Sequence, residues 1–356
     1  MLSDTLLSTK IKLKIKENSI HELLKDLSEH IRYKISYTIE SYNVDRIRRK
    51  YYSDVELFED SHEIAIKVDV KKPHIILHNK NLLGSDGSSI ILRVHPFRII
   101  IARSGIYLYS LKPAPHKISF LGAYDSTFSF VENLSGDSLD DAIKKAESRV
   151  LADLETRSVL RFIDEINGAV DLVIMDGPLY HPVTYDINLE FLKELYYQRI
   201  PVIYIVKNSV SRRFTRLLDI PLLDSDFLAY KLRPNERTPA IIVKNILSDK
   251  GEPIGIENKL RPVSFYYMSP RRILFRIDAP LWVVEDYLLE NIVKWSISDI
   301  LLGGGTKSFM ISKAESVAKF SESEKKYIKA FLEKLLAQHG IISPSTYNQF
   351  RWGVFK

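Results

Sequence analysis

Two aspartates stand beside apolar segments that are expected to lie in the core of a sheet. Asp176 closes the β-branched run 170–175, and Asp86 comes just before the apolar run 90–92. A short apolar run bounded by turn residues predicts a buried strand, and open α/β sheets place their chemistry at such strand ends. Glycine follows each aspartate, and one Asp-Gly pair is usually only a turn. The two aspartates therefore become informative only if further acids join them.

The elements around these residues predict how they would meet. Consecutive strands, interrupted by a turn at 103–105, precede a long helix, and strands then alternate with helices before the chain ends in helices. This order predicts an α/β fold, a ribonuclease H-like mixed sheet flanked by helices. The predicted strands are 63–69, 90–94, 97–102, 105–111, 170–176, 200–206, 240–243 and 273–277. The predicted helices are 137–166, 189–198, 281–300, 311–320 and 322–339.

Three carboxylates converge in that layout. Asp86 belongs to the first strand, Glu155 to the first long helix and Asp176 to the next strand, and Glu147 lies two turns before Glu155 as an alternative helix ligand. Carboxylates ~4 Å apart repel by about 4 kcal/mol at an effective dielectric constant of about 20, so a cation must neutralise them. Oxygen ligands favour magnesium or manganese. Two such ions would suit hydrolysis of a phosphodiester.

Basic residues follow the next predicted strand at the same edge of the sheet. Lys207 stands at the end of strand 200–206, and Arg212, Arg213 and Arg216 come shortly after it. These side chains are candidates to bind a phosphate backbone. The formal net charge of +6 and the isoelectric point of about 9.1 suit a nucleic-acid partner without requiring one.

The composition excludes several classes of protein. The 356 residues contain no cysteine, which excludes disulfides and cysteine-ligated zinc and fits an intracellular protein. The absence of a long apolar run and of a signal-peptide pattern leads us to expect a cytoplasmic protein without a membrane partner. The glycine-rich stretch 303–308 is not a nucleotide-binding loop, because Thr306 occupies the place before Lys307 where that loop requires glycine.

Composition and periodicity divide the chain into three parts. Residues 1–66 are expected to form an N-terminal helical arm suited to dimerisation, with a helix over 19–33. Residues 67–325 are expected to hold the sheet and its site. Residues 326–356 are expected to form a C-terminal helix and an aromatic tail.

Five motifs between residues 80 and 325, named at the end of this paragraph, resemble those of the NurA family of nucleases in type and in order. The resemblance implies a ribonuclease H-like fold, manganese-dependent exo- and endonuclease activity on DNA, a homodimer, and partnership with the HerA hexameric translocase in DNA end resection and repair. The motifs are Asp86–Ser88, Leu154–Glu155, Leu172–Gly177, Pro201–Ser209 and Phe275–Pro280.

The chain departs from the family pattern near its C-terminal motif. Glu315 falls where the family has a histidine, and Lys307 falls where it has a tyrosine. A glutamate can still serve as a fourth metal ligand beside Asp86, Glu155 and Asp176. These changes could alter the metal preference or weaken catalysis.

Three functions follow from this pattern. The first is a metal-dependent DNA nuclease that works with a translocase. The second is a non-catalytic NurA-like subunit that binds DNA or the translocase, which the altered Glu315 and Lys307 would favour. The third is a phosphoryl-transfer enzyme acting on small substrates, for which the helical arm and the aromatic tail give no reason.

Overall fold

The structure, a computed structural model, describes residues 44, 46–47, 50–52, 54–94, 97–110, 120–131, 139–167, 169–207, 209–247 and 252–338. The chain divides into two compact units, Met1–Asp45 and Arg46–Lys356. The predicted helix over 19–33 and the aromatic tail after Pro344 lie outside the described residues.

The described residues form the following strands: β1 (Tyr51–Tyr52), β2 (Val55–Leu57), β3 (Ile66–Lys67), β4 (Asn81–Val94), β5 (Phe97–Ser110), β6 (Phe120–Val131), β7 (Leu172–Asp176), β8 (Val202–Val206), β9 (Glu236–Arg237), β10 (Ile241–Val243), β11 (Ile246–Leu247), β12 (Pro253–Ile254), β13 (Pro262–Met268) and β14 (Leu274–Pro280).

The helices of the same residues are α1 (Pro73–Ile76), α2 (Leu139–Glu165), α3 (Tyr185–Gln198), α4 (Arg213–Arg216), α5 (Asp224–Lys231), α6 (Leu281–Tyr287), α7 (Leu289–Leu302), α8 (Phe309–Ala318) and α9 (Glu322–Gln338), with a 3₁₀ turn at Asn258–Leu260. Within these residues, no helix is long and apolar enough to cross a membrane.

One mixed sheet organises the described chain. Its strand order is β1-β2-β10-β13-β14-β8-β7-β4-β5-β6, with β3 and β9 attached beside β13. Strand β7 runs parallel to both β4 and β8, whereas β5 and β6 continue the sheet in antiparallel fashion. The predicted ribonuclease H-like mixed sheet flanked by helices is therefore confirmed. Strands β1 to β3 fall within or at the end of the predicted arm, yet β2 pairs with β10 and β3 with β9.

The sheet is covered on both faces, which explains its apolar central strands. Every residue of β8 is buried, as are the first four residues of β7. Helix α8 packs on β4 and β5 from one side, and helix α2 packs on the same strands from the other. A strand buried on both faces reads as a continuous apolar run, which is the pattern that predicted β7 and β8.

Two predictions at the start of the sheet were wrong, and their physical cause is the same. Asp86 lies inside the fourteen-residue strand β4 and not in a corner before it, and β5 continues through the predicted turn at 103–105. The glycines in these segments serve close packing, because a side chain at Gly84 or Gly105 would collide with the backbone of α8. Glycine inside a strand often marks such a close approach.

Two further differences lie in the C-terminal half. The strand β13 was not predicted, although all seven of its residues are buried. The predicted helix over 281–300 is two helices, α6 and α7, because Leu288 between them adopts a φ of 65°.

The contact between α8 and β4 gives a test of this packing. A Cβ added at Gly84 would lie 2.7 Å from the carbonyl oxygen of Met310, so Gly84→Ala must push α8 away from the sheet. We expect the free energy of unfolding in urea to fall by about 1–3 kcal/mol. Gly255→Ala is the matched control, since nothing lies within 4 Å of its added Cβ. Equal stability of the two variants would contradict the packing described here.

Candidate active site

Asp86 and Asp176 lie side by side because of the register between two parallel strands. Ser85 of β4 is paired with Met175 of β7, so the next residue on each strand is an aspartate at the same level. Residues at one level of neighbouring strands point to the same face of a sheet. Both aspartates line one cavity of about 540 Å³, and that cavity also contains Glu315 of α8. The structure thus brings three of the four predicted acids to one cavity.

Glu155 reaches the same place from the opposite face of the sheet. Its helix, α2, packs beneath β4 at Gly87, and a Cβ at Gly87 would collide with the Glu155 carboxylate oxygen Oε1. Gly87 therefore supplies the space that the Glu155 carboxylate occupies. Glu155 and Asp176 share a smaller cavity of about 160 Å³ on this side of the sheet. Asp176 lines both cavities and connects the two groups of acids.

Crowding and like charge make the carboxylates hard to ionise. Asp86 and Glu155 are half-buried, and Asp176 is exposed to the cavities. Desolvation, followed by the charge of Asp176, raises the pKa of Asp86 to about 7. Desolvation and the charges of Asp86 and Asp176 raise the pKa of Glu155, and desolvation and Glu315 raise the pKa of Asp176. Such a group of acids binds protons or cations to reduce its repulsion.

Glu147, the alternative helix residue, has a different environment. It accepts a hydrogen bond from the Ser89 hydroxyl, and Ser89 lies two residues beyond Gly87 on β4. Its separation from Glu155 by two turns of α2 places it farther along the sheet. The geometry therefore favours Glu155 as the helix carboxylate nearest the two aspartates.

The basic residues that line the cavity of the acids are lysines, and the predicted arginines are not among them. Lys207 lines the large cavity, as do Lys307, Lys319 and Lys325. Lys319 and Lys325 had no signal in the sequence, since their proximity to the acids depends on how α8 and α9 pack. Lys307 also forms an ion pair with Glu315, with 3.6 Å between Nζ and Oε2.

The three predicted arginines lie on or beside α4, away from this cavity. Arg216 forms an ion pair with Asp54, with 3.2 Å between Nη1 and Oδ1. Desolvation and the neighbouring Arg276 lower the pKa of Arg213. Arg212 precedes the first turn of α4 and is exposed. Among the described residues that form the walls of the large cavity, none of these arginines is present.

Two buried acids stabilise the elements around the site. Asp278 lies in the motif Phe275–Pro280, whereas Asp299 had no clear signal in the sequence. Asp278 of β14 receives two hydrogen bonds from Arg276, at 3.0 and 2.9 Å, and one from the backbone N–H of Leu179 at 3.3 Å. It thereby fixes the loop that follows Asp176. Asp299 of α7 accepts a hydrogen bond of 3.0 Å from the Met310 N–H at the start of α8, and burial raises the pKa of Asp299 to about 6.

The donor set suits a hard divalent ion, although its side chains must approach one another to ligate it. The four carboxylates Asp86, Glu155, Asp176 and Glu315 offer only oxygen, which magnesium and manganese prefer. Within the described ranges, no three acidic or histidine side chains form a group that could hold a metal ion as they stand. Asp86, Asp176 and Glu315 line the large cavity, whereas Glu155 lies on the other face of the sheet.

The comparisons with known proteins agree with this geometry. Residues 80–320 match the family described as the NurA domain, which confirms the resemblance. No curated protein matches the sequence.

Among solved structures, the NurA nuclease from Sulfolobus solfataricus is 14% identical with a TM-score of 0.56, and the match covers 91% of this chain and 98% of that one. A structure of NurA with manganese is 10% identical (TM-score 0.47, 90% and 97% covered). Endonuclease V from Bacillus subtilis is 11% identical (TM-score 0.35, 72% and 83% covered). At these identities, the first of these structures supports the fold alone.

The destabilisation caused by crowding of the acids can be measured from the free energy of unfolding, without an activity assay. The folded protein keeps the Asp86 proton up to about pH 7, whereas the usual value for the carboxyl is 3.8. Ionised Asp86 therefore lowers stability above pH 7, and this loss disappears as the pH falls toward 4. With divalent ions removed, we expect Asp86→Asn to raise the free energy of unfolding at about pH 8 by roughly 1–2 kcal/mol, after discounting for solvent screening.

The matched control for that measurement is Glu190→Gln, on an exposed position of α3, for which we expect a change within about 0.5 kcal/mol. A loss of stability in Asp86→Asn at this pH would show that its carboxylate is held by favourable contacts and not by repulsion.

Proposed function

The chain belongs to the NurA family, and from that premise we propose that it is a metal-dependent DNA nuclease that hydrolyses phosphodiester bonds. The observation that carries the proposal is the pairing of Asp86 and Asp176 at one level of two parallel strands, above a cavity rimmed by lysines. Acids crowded until their pKa values rise, beside cations that attract an anion, suit a site that binds metal and phosphate together.

The ligands of the proposed metal site are Asp86, Glu155, Asp176 and Glu315. We propose manganese or magnesium, with two ions sharing these carboxylates. Bound divalent ions would supply hydroxide from water and stabilise the oxygen that leaves the phosphorus. Asp176 is the natural shared ligand, because it lines both the cavity of Asp86 and Glu315 and the cavity of Glu155.

The chain's own cations would bind and orient the phosphate. Lys207, at the end of β8, is exposed and lines the large cavity, so its ammonium group is available for a phosphate oxygen. Lys307 also lines this cavity, but it is paired with Glu315. A metal ion at Glu315 would compete with that pair and release Lys307 toward the substrate. Arg212, Arg213 and Arg216 remain candidates for DNA farther from the acids.

One observation favours a second function. The ion pair between Lys307 and Glu315 neutralises part of the charge at the fourth ligand position, where the family has a tyrosine and a histidine instead. The alternative is a catalytically weakened NurA-like subunit that binds DNA or regulates the translocase. The intact pair Asp86 and Asp176 supports the nuclease more strongly.

Family membership extends the proposal to partners. We propose that the protein forms a homodimer and acts with a HerA-type hexameric ATPase in DNA end resection and repair in the cytoplasm. The residues assigned to an N-terminal dimerisation arm lie mostly outside the described ranges, so these partners rest on the family alone. Co-purification with such an ATPase, and the mass of the protein in solution, test this extension.

The nuclease is tested with labelled single- and double-stranded DNA in the presence of manganese, magnesium or chelator. We expect digestion with manganese or magnesium and none with chelator. Asp176→Asn should lower the rate at least about 100-fold, because it removes the ligand shared by both cavities. Glu190→Gln should digest DNA at the wild-type rate.

Digestion that persists in Asp176→Asn would overturn the assignment of the site. Failure of the wild type to digest DNA, alone or with a HerA-type ATPase, would favour the binding subunit instead.

A second comparison separates the two glutamates of α2. Glu155→Gln should lower digestion by at least about tenfold and shift the manganese dependence to higher concentration, because it weakens one ligand of the site. Glu147→Gln should change both quantities by less than about twofold, since Glu147 is bonded to Ser89. The reverse ranking would assign the helix ligand to Glu147.

A further inference from the structure

A second cavity opens beside the large one, and Lys207 lines both. Its volume is about 390 Å³. Leu274 and Arg276 of β14 line this second cavity, whereas Phe275, between them, lines the large one. Because successive residues of a strand point to opposite faces, the two cavities lie on opposite faces of the sheet and meet at its edge, at Lys207. We call the cavity of about 390 Å³ the Arg272 cavity, after the arginine at its rim.

Arg272 is held at that edge by a tight turn. Arg276 pairs with Val206 near the end of β8, so Phe275 lies at the level of Lys207 and the turn that precedes β14 projects beyond it. The Arg272 N–H donates to the Ser269 carbonyl at 2.9 Å, and Arg272 adopts a φ of 59°. This conformation is uncommon for residues other than glycine. The turn therefore fixes the origin of the Arg272 side chain at the mouth of the cavity.

The charge of this cavity is positive and available at its rim. Lys207 and Arg272 are exposed, and neither has an ion-pair partner in the part of the chain that the structure describes. Deeper in the cavity, Arg276 is already occupied, since it donates to Asp278 and at 2.7 Å to the Ser209 hydroxyl. No carboxylate belongs to the described walls. An anion is thus favoured at the rim and not at the floor.

We propose that the Arg272 cavity is a subsite for the nucleotide next to the bond that is cut, with Lys207 and Arg272 binding its backbone phosphate. The proposal rests on the proposed nuclease function. Half-buried Ile273 and Leu274 give the cavity an apolar wall against which a base can lie, and the Tyr266 and Ser209 hydroxyls lie deeper. A cavity of this size lies at the lower end of small-molecule sites, roughly 300–1,000 Å³. It takes one nucleotide and not a base pair, so the substrate strand must be unpaired there.

The test measures binding, so it does not depend on cleavage. Short 5′-labelled oligothymidylates and a blunt duplex are titrated with the whole protein in chelator, at several salt concentrations, by fluorescence anisotropy. Arg272→Asn is the variant, because asparagine tolerates a positive φ. Arg271→Asn is the matched control: Arg271 has the same charge in the same turn, but it packs beside Gly305 and does not line the cavity. Equal melting temperatures exclude a folding defect.

We expect Arg272→Asn to weaken single-strand binding about tenfold and to lower the slope of log K against log salt by about 0.7, the value for one phosphate contact on a single strand. Arg271→Asn should leave that slope unchanged. Equal losses in the two variants, or an equal loss by Arg272→Asn on duplex and single strand, would overturn the subsite.

Cleavage by the wild type is scored separately with manganese. A wild type that binds as expected but cuts nothing overturns the nuclease, and the Arg272 cavity is then a binding site for single-stranded DNA without a cleavage site beside it. A wild type that cuts DNA, while Arg272→Asn binds like Arg271→Asn, overturns the subsite alone.

Discussion

The repulsion between Asp86 and Asp176 is the constraint on which the site depends. Because Ser85 pairs with Met175, the next residue on each strand must lie at the same level. Asp86 and Asp176 therefore stay side by side as long as β4 and β7 keep this register. A shift by one residue would turn an aspartate to the opposite face. The apolar residues of β7, buried on both faces, prevent such a shift. The hydrophobic core thus forces together charges that would separate if they were free.

The residues around these acids allow the neighbouring helices to approach the sheet closely. Gly84 allows α8 to lie against β4, and Gly87 leaves room for the Glu155 carboxylate from the other face. Buried Asp278 and Asp299 then fix the loop after Asp176 and the start of α8. Both acids accept backbone N–H groups, which otherwise would be buried without a partner at a high free-energy cost. Strand β4, the start of α8 and the loop after Asp176 are therefore each held by a buried contact close to one of the carboxylates.

Local patterns predicted the parts of this fold that local physics determines. The apolar runs of β7 and β8 and the helical period of α2 gave their elements correctly, and the order of these elements gave the mixed sheet. The glycines on either side of Asp86 resemble turn residues, so a continuous strand was not predicted there. In the structure these glycines allow close contact with helices that are distant in sequence.

The charges around the site show the same limit. Their position after β8 predicts phosphate contacts for Arg212, Arg213 and Arg216, yet Arg216 forms an ion pair with Asp54. Lys319, Lys325 and Arg272 approach the edge of the sheet only through tertiary packing. The partners of a charged side chain depend on distant segments, which spacing along the chain does not encode.

The placement of Glu315 on α8 has a consequence for how a bound cation would act on the fold. Helix α8 lies against β4 and β5 and brings the Glu315 carboxylate to the cavity of Asp86 and Asp176. After desolvation, the charge of Glu315 contributes to the raised pKa of both aspartates, so it opposes the packing of α8 on these strands. A cation bound among the three carboxylates would remove that repulsion and join the helix to the sheet, which would stabilise the folded state by mass action.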